Sequence, residues 1–481
     1  MVIKSRYPLI EEVSTPLTAP ELFELIKDRP YSFFLDSGMD IQKLGRYSFL
    51  GSEPFLVMQS RGSEITLIRG QEHEVQHGNP FDTIGKLLEL YKLEYCPAPV
   101  PFVGGAVGYF GYDLCHFVEH LPSTAIDDFK LPECYFAFYD AIFVFDHLDG
   151  RAYLVTTGFP ELDEGRRLKR ARMRLKELKT WLYPSPPIIV FSQSPAQNKE
   201  ITLMSNFVPE EYIKSVSRVR EYIAAGDVFQ VNLSQRFQAD LQIPPYELHK
   251  ILRRVNPAPF ASYLNFDGVA IVSASPERFL KVQGDLVETR PVKGTRPRGR
   301  DPGEDQSLAQ ELTRSIKDRA ENVMIVDLER NDLGRVCRYG TIKVTELAIL
   351  ETFPTVFHLT STIIGRLHRS KSDIDLLKAT FPGGSITGAP KVRAMEIIDE
   401  LEPTKRSVYT GSIGYLSFNG DLDINIVIRT FIIKEGRAYF QVGGGIIYDS
   451  DSEAEYIETL DKAKALIQAL QLAPEVVIAT K

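Results

Sequence analysis

Two acidic pairs are the first residues in this 481-residue chain whose type and spacing could do chemistry. Asp318 and Glu321 stand together in SIKDRAENVMIVDLERND, and Glu455 and Glu458 in DSDSEAEYIETLDKA. A spacing of three puts each pair on one helix face. Two such faces brought together would repel unless a cation lay between them. Neither motif holds a cysteine or histidine, so the ligands would all be oxygen. That set favours Mg2+, with water and substrate oxygens completing the shell. The same spacing also describes two solvated helix faces.

Lys293 is next, in TRPVKGTRPRGRDPG. A lysine in a constrained loop can be a nucleophile if its amine is held neutral. It can equally be a cationic anchor, or one more charge in a basic loop with Arg290, Arg296, Arg298 and Arg300. GTRPRG lacks phosphate-loop spacing, so nucleotide binding is not expected. The glycine-rich stretches FPGGSITGAPK (381–391) and QVGGGIIYDS (441–450) could bring backbone N–H groups close to an anion, or could simply be tight turns. GGAVGYFGYD (104–113) reads as packing. Glu277 in SASPERFL follows a strand and a proline, where it could enter a cleft. Arg429 in DLDINIVIRTFII reads as a charge within a β run, costly unless paired or bound to a ligand. His358, in an apolar segment, reads as a core histidine, and Tyr409 alone says little.

The elements that must position these groups follow from pattern. Hydrophobic residues are 43% and charged residues 25% of the chain, ordinary for a globular protein. A net charge of −8 speaks against a general nucleic-acid binder. An anionic small molecule would need local attraction. No apolar stretch reaches membrane-helix length. MVIKSRYPLIEEV turns acidic before any apolar segment, so no signal peptide is expected. Cys96, Cys115, Cys134 and Cys337 form no CxxC pair, and a cytoplasmic setting is the simplest. The proline-rich stretch within 183–204 reads as a linker between an N-terminal region, 1–182, and a second region, 205–475. Helices are expected over 161–179, 210–225 (closed by Gly226), 306–331 and 451–470. Strands are expected within 135–155 and over 228–237, 261–274, 278–290, 340–350, 408–418, 422–434 and 437–447. Strands in antiparallel sets without strict helix alternation indicate α+β.

Taken together, the motifs resemble those of the chorismate-utilising enzymes, which include component I of anthranilate synthase and of aminodeoxychorismate synthase and the isochorismate and salicylate synthases. GDVFQVNLSQRF, SASPERFL, PVKGTRPRG, DRAENVMIVDLERNDLGRV, PGGSITGAPK, YTGSIGY, INIVIRT and GGGIIYDSDSEAEYIET occur in the family order. The match is strong over about 205–470 and weaker through FFLDSG, LGRYSFLG and VGGAVGYFGYD. The resemblance implies an α+β fold: a two-subdomain antiparallel β-sandwich with flanking helices and a deep cleft. It implies that Glu321 and Glu458 bind Mg2+, with Asp318 and Glu455 behind them holding metal waters. Position 318 is usually glutamate in the family, so Asp318 is a shorter variant. Arg429, Tyr409 and the N–H groups of Gly443, Gly444 and Gly445 would contact the carboxylates of chorismate. Gly294, Thr295, His358 and Lys462 would line the same site, and Glu277 would protonate the departing 4-hydroxyl.

Two positions discriminate within the resemblance. Members that add water carry a lysine where this chain has Gln230, so water addition is not expected. Anthranilate-forming members read PIAGT, whereas those forming 4-amino-4-deoxychorismate read PIKGT. PVKGT resembles the latter. There the lysine attacks ring carbon 2, the 4-hydroxyl leaves, and ammonia adds at carbon 4, on the way to 4-aminobenzoate and folate. Anthranilate formation, for tryptophan, is the alternative. The resemblance also implies a separate glutamine amidotransferase subunit that supplies ammonia. FFLDSG resembles one wall of the family's tryptophan pocket, here Ser37, Arg46 and Tyr47, with Pro259, Phe260 and Ala261 opposite. Asp36 replaces the usual glutamate.

Overall fold

The structure, a computed structural model, describes residues 6–37, 39–40, 42–95, 98–183, 200–354 and 356–473. Residues 184–199, most of the expected linker, and residues 474–475 lie outside the described residues. Every strand ladder among the described residues is antiparallel, and the ladders form two sheets. The first runs Leu9–Val13, Arg151–Thr156, Ala141–Asp146, Tyr47–Gly51, Phe33–Asp36, Phe260–Phe266, Val269–Ser275, Thr430–Lys434, Arg437–Ile446, Gln230–Asp240, Met204–Ser205. The second runs Val292–Pro297, Val356–Arg366, Leu286–Arg290, Arg278–Gln283, Leu422–Asn425, Ser412–Ser417, Gly105–Phe110, Cys134–Tyr139, Leu56–Arg61, Glu64–Arg69, Glu72–His77, with Lys343–Thr352 also paired to Val356–Arg366.

Both sheets contain strands from both sides of the expected linker. In the first, Asp36 pairs with Ala261 and Phe33 with Leu264. In the second, Ser412 pairs with Phe110 and Ser417 with Gly105. The central strands of the first sheet are buried on both faces, as their near-continuous apolar runs require. Ile142 and Val144 face one core, which also takes in residues of the second sheet such as Val57 and Phe136. Phe143 and Phe145 face another core, under helices Ala19–Ile26, Pro245–Val255 and Ser452–Gln471. The result is two sheets sharing one core, with helices outside.

Several expected elements are subdivided. The single helix expected over 306–331 is two, Pro302–Arg314 and Ile316–Gly334. Ser315 breaks it with an extended backbone, and its hydroxyl accepts the N–H of Asp318 at 3.1 Å, an N-cap written as SIKD. The runs 261–274 and 278–290 are each two strands. They are turned at Gly268 (φ +74°) and Gly284 (φ +60°), where the DG and GD pairs are the overlooked signals. The run 422–434 is also two strands, and they belong to different sheets. Helix Pro209–Ala225 closes on Gly226 in the left-handed region, as its sequence indicates. Among the described residues no helix is long and apolar enough to cross a membrane.

One buried ion pair ties the layers together. Arg406 donates to Glu402 from Nε (2.9 Å) and Nη2 (2.7 Å), and to the carbonyls of Ile386 and Asn232. Glu402 also accepts the N–H and hydroxyl of Ser234. Glu402→Ala would strand this guanidinium in the core. It is expected to destabilise the protein by about 3 kcal/mol or more, read as a lower urea midpoint at unchanged slope.

Candidate active site

The two acidic helices are brought together. Glu321 lies on Ile316–Gly334; Glu455 and Glu458 lie on Ser452–Gln471, whose N-cap Asp451 accepts the N–H of Ala454. Burial pushes the carboxyls of Glu321 and Glu455 up, and the charge of Glu458 pushes both further. Glu458 itself is held down, chiefly by Lys462, whose Nζ lies 2.7 Å from its Oε1. Glu458 keeps 49% of its side chain open, so that pair is largely screened. Asp318 accepts from Arg296 at 3.2 Å and so is committed to a cation of the chain itself. Lys317, which the sequence reading did not single out, offsets Glu321, Glu455 and Glu458.

Lys293 is aimed by a backbone irregularity. Val292–Pro297 pairs with Val356–Arg366, and the register shifts between Val292 and Thr295, as in a β-bulge. Lys293 and Gly294 occupy that interval. Gly294 has φ +86°, and a Cβ there would lie 3.0–3.1 Å from Leu312 and Asp318, so the position requires glycine. Burial depresses the Lys293 ammonium below the usual lysine range, and the charge of Lys462 adds to this. Glu321, Glu277 and Glu458 oppose it without reversing it. Desolvation thus shifts Lys293 toward the neutral amine, a direction that the sequence left unexplained.

Glu277 is 4% exposed and follows strand Val269–Ser275. Its carboxylate accepts the N–H of Val292 at 3.3 Å and a hydrogen bond from Ser385. Burial dominates and pushes it up to about 7, against the opposing pull of Ser385, Lys293 and Arg429. Ser385 sits in the 381–391 loop, which drew notice for its glycines and not for this hydroxyl.

Arg429 is not inside a β run. The chain leaves the second sheet after Leu422–Asn425 and enters the first at Thr430–Lys434, and Arg429 stands at the end of that crossing with φ +52°. Burial lowers its guanidinium to about 10, and Glu277 is the counter-charge that acts on it. His358 pairs in register with Thr295, and its Nδ1 lies 2.9 Å from Thr295 Oγ1. Burial, with help from the charges of Arg429 and Lys462, drives it down to about 3 and keeps the ring neutral; its Nε2 is buried without a partner. The core reading of His358 is therefore incomplete: it is buried, but among charged groups of the site. Tyr409 is buried, bonded to Ser234 and 5.8 Å from the Arg406 guanidinium.

Gly443, Gly444 and Gly445 pair with Ser234, Leu233 and Asn232 on one side. On the other side the ladder to Thr430–Lys434 ends at Phe440, so the glycines have no strand neighbour there. A Cβ on Gly444 would lie 3.2 Å from Glu455 Oε2, 3.5 Å from Glu458 Oε1 and 3.6 Å from Lys462 Nζ. A Cβ on Gly445 would overlap the amide of Gln230. Gln230 donates to Glu321 at 3.3 Å, and Lys462 donates to the carbonyl of Gly443 at 2.9 Å.

Among the described residues no three acidic, histidine or cysteine side chains form a ready-made metal cage. The acid cluster nevertheless suits a hard cation. Glu321 and Glu455 are held in a desolvated setting against Glu458, and Glu455 Oε2 is buried without a partner. Two carboxylates completed by water and substrate oxygens is the coordination Mg2+ commonly takes.

A separate cavity of about 530 Å³ lies where Phe33–Asp36 meets Phe260–Phe266. Ser37, Arg46, Tyr47, Pro259, Phe260 and Ala261 all line it, together with Phe49, Tyr415 and Arg278. Lys293, Glu277 and the acidic helices do not. Ser37 Oγ donates to the carbonyl of Tyr47 at 2.6 Å; Asp36 is paired to Arg253; Arg46 is engaged by Asp146 and Asp149.

Comparison with known proteins adds a family. The family described as chorismate binding enzyme matches residues 32–468. An anthranilate synthase component 1 from Acetivibrio thermocellus is 41% identical, over 98% of this chain and 96% of its own length. An aminodeoxychorismate synthase component 1 from Salmonella typhimurium is 42% identical, over 95% of this chain and 96% of its own. The crystal structure of anthranilate synthase component I from Streptococcus pneumoniae superposes with TM-score 0.77 at 34% identity, covering 88% of this chain and 92% of that one. MenF, an isochorismate synthase from Escherichia coli, shares the fold at TM-score 0.70 and 18% identity, covering 97% of this chain and 95% of that one.

Proposed function

Because this chain belongs to the chorismate binding enzyme family, we propose that it acts as aminodeoxychorismate synthase component I, converting chorismate and ammonia to 4-amino-4-deoxychorismate. Relatives at similar identity carry both names, so overall likeness does not choose between them. The observation that supports this reading is Lys293: an amine whose ammonium form burial disfavours, with the carboxylic acid Glu277 acting on it electrostatically. Lys293 forms a bond to ring carbon 2, both ring double bonds shift, and the 4-hydroxyl leaves as water with the proton of Glu277. Ammonia then adds at carbon 4 and the lysine departs, restoring the diene. Burial raises Glu277 to about 7, which keeps its proton available near neutral pH.

Arg429 and the open side of Gly443–Gly445 would hold the substrate's carboxylates. Glu321 and Glu458 would hold Mg2+, with Glu455 behind them, and the ion when bound would neutralise and orient the ring carboxylate. Gln230 lacks the basicity to activate water, which argues against isochorismate formation. Ammonia would come from a partner glutamine amidotransferase, as the name component 1 of the relatives suggests. A cytoplasmic site of action fits the three described cysteines, all buried and free. Anthranilate synthase component I is the second reading, favoured by the cavity at Ser37 and Phe260, which has room for an indole.

The test is a product assay with chorismate, Mg2+ and an ammonium salt at alkaline pH. Aminobenzoate is expected only after a lyase is added; direct fluorescence of anthranilate would overturn the proposal. For the cavity, calorimetry with tryptophan is expected to give a saturable heat that Ala261→Trp abolishes by filling the space. Heat unchanged in that variant would place the ligand elsewhere.

A further inference from the structure

Behind the acid lies a second buried carboxyl with no role so far. Glu329 is 2% exposed, on helix Ile316–Gly334. Its Oε1 accepts the N–H of Gly384 at 3.0 Å, and its Oε2 is buried without a partner. Gly384 begins the short turn Gly384–Ile386, and the next residue, Ser385, is the one whose hydroxyl bonds Glu277. A Cβ on Gly384 would lie 2.7 Å from Leu328 and 3.0 Å from Glu329 Oε1, so the turn is seated directly on that carboxyl.

We propose that Glu329 is a positioning residue for the acid: it anchors the Gly384–Ser385 turn, and its charge favours the protonated form of Glu277. This rests on the reading of Glu277 as the acid. Burial, then Asp332 and last Glu277, push Glu329 up to about 7; repulsion between like charges acts on both partners, so each carboxyl, once ionised, holds the proton on the other. The groups facing Glu329 are Asp332, which repels it, and Lys391, which attracts it and is itself paired to Asp332 and to the carbonyl of Thr380. Arg335 and Glu119 act on Asp332 from outside. Those facing Glu277 are Ser385, Lys293, Arg429 and the N–H of Val292. Lys293 and Arg429 both favour its ionised form, so a second carboxyl behind it offsets them.

The signs separate this from a merely structural role. Glu329→Gln keeps an acceptor for Gly384 and removes the charge, so Glu277 should release its proton at lower pH. Ser385→Ala removes a hydrogen bond to the carboxylate, so Glu277 should hold its proton to higher pH. Protein labelled with δ-13C-glutamate, with the Glu277 signal assigned by its loss in Glu277→Gln, reads this midpoint without substrate. A failed chorismate assay and a failed titration are thus distinct results. The expected midpoint shift is roughly one pH unit down in Glu329→Gln and a rise in Ser385→Ala. A midpoint unmoved or raised in Glu329→Gln would overturn the proposal. If that variant does not fold, an unmoved midpoint in Ser385→Ala overturns it by itself.

Discussion

Lys293→Ala is expected to abolish the covalent chorismate adduct seen by intact-protein mass spectrometry and to cut ammonia-dependent turnover roughly 10⁴-fold. Removing a nucleophile removes a route, so the loss should fall on kcat more than on KM. The folded state should change little, because the space at Lys293 is set by the bulge backbone and by Gly294. An adduct of unchanged mass in the variant would show that another residue attacks. Retained production of anthranilate would instead favour the second reading, since the variant would then resemble the PIAGT members.

The second large effect concerns the acid cluster. Glu458→Ala is expected to lower turnover by roughly 10³-fold and to weaken Mg2+ binding by about the same factor, read by calorimetry on the protein alone. It also frees Lys462, whose charge would then press harder on Lys293. That secondary effect favours the neutral amine, so it should not by itself reduce activity. Turnover and Mg2+ dependence like those of the unaltered protein would remove Glu458 from the ion site.

Much of this site could be read from the chain. Spacing alone left Glu321, Glu458, Lys293 and Glu277 open to bland readings; each sits in a short motif, and it is the order of those motifs, through the family resemblance, that singled them out. Most strand positions were legible too, because alternation and turn residues are written nearby, but not how the strands assemble into two sheets. What could not be read depended on distant parts meeting. Arg429 looked like part of a strand because an apolar run does not record that the chain changes sheets inside it. Ser385 and Glu329 meet Glu277 only because a loop, a helix and a strand end converge. The break at Ser315 was legible as an N-cap but was masked by a helical pattern on both sides. The lowered basicity of Lys293 is a property of burial, which no spacing encodes.

The seams at Asp36 with Ala261 and at Phe110 with Ser412 bear on how the polypeptide is made. When the first 182 residues leave the ribosome, Phe33–Asp36 and Gly105–Phe110 each lack one neighbour, and their free backbone groups offer sticky borders to any other chain nearby. Closing them requires partners synthesised much later, so folding should be slow and dominated by contacts distant in sequence. A chaperone that shields those two borders would matter most during that wait. For the same reason, the two halves expressed as separate polypeptides should recover an active enzyme only when they are folded together.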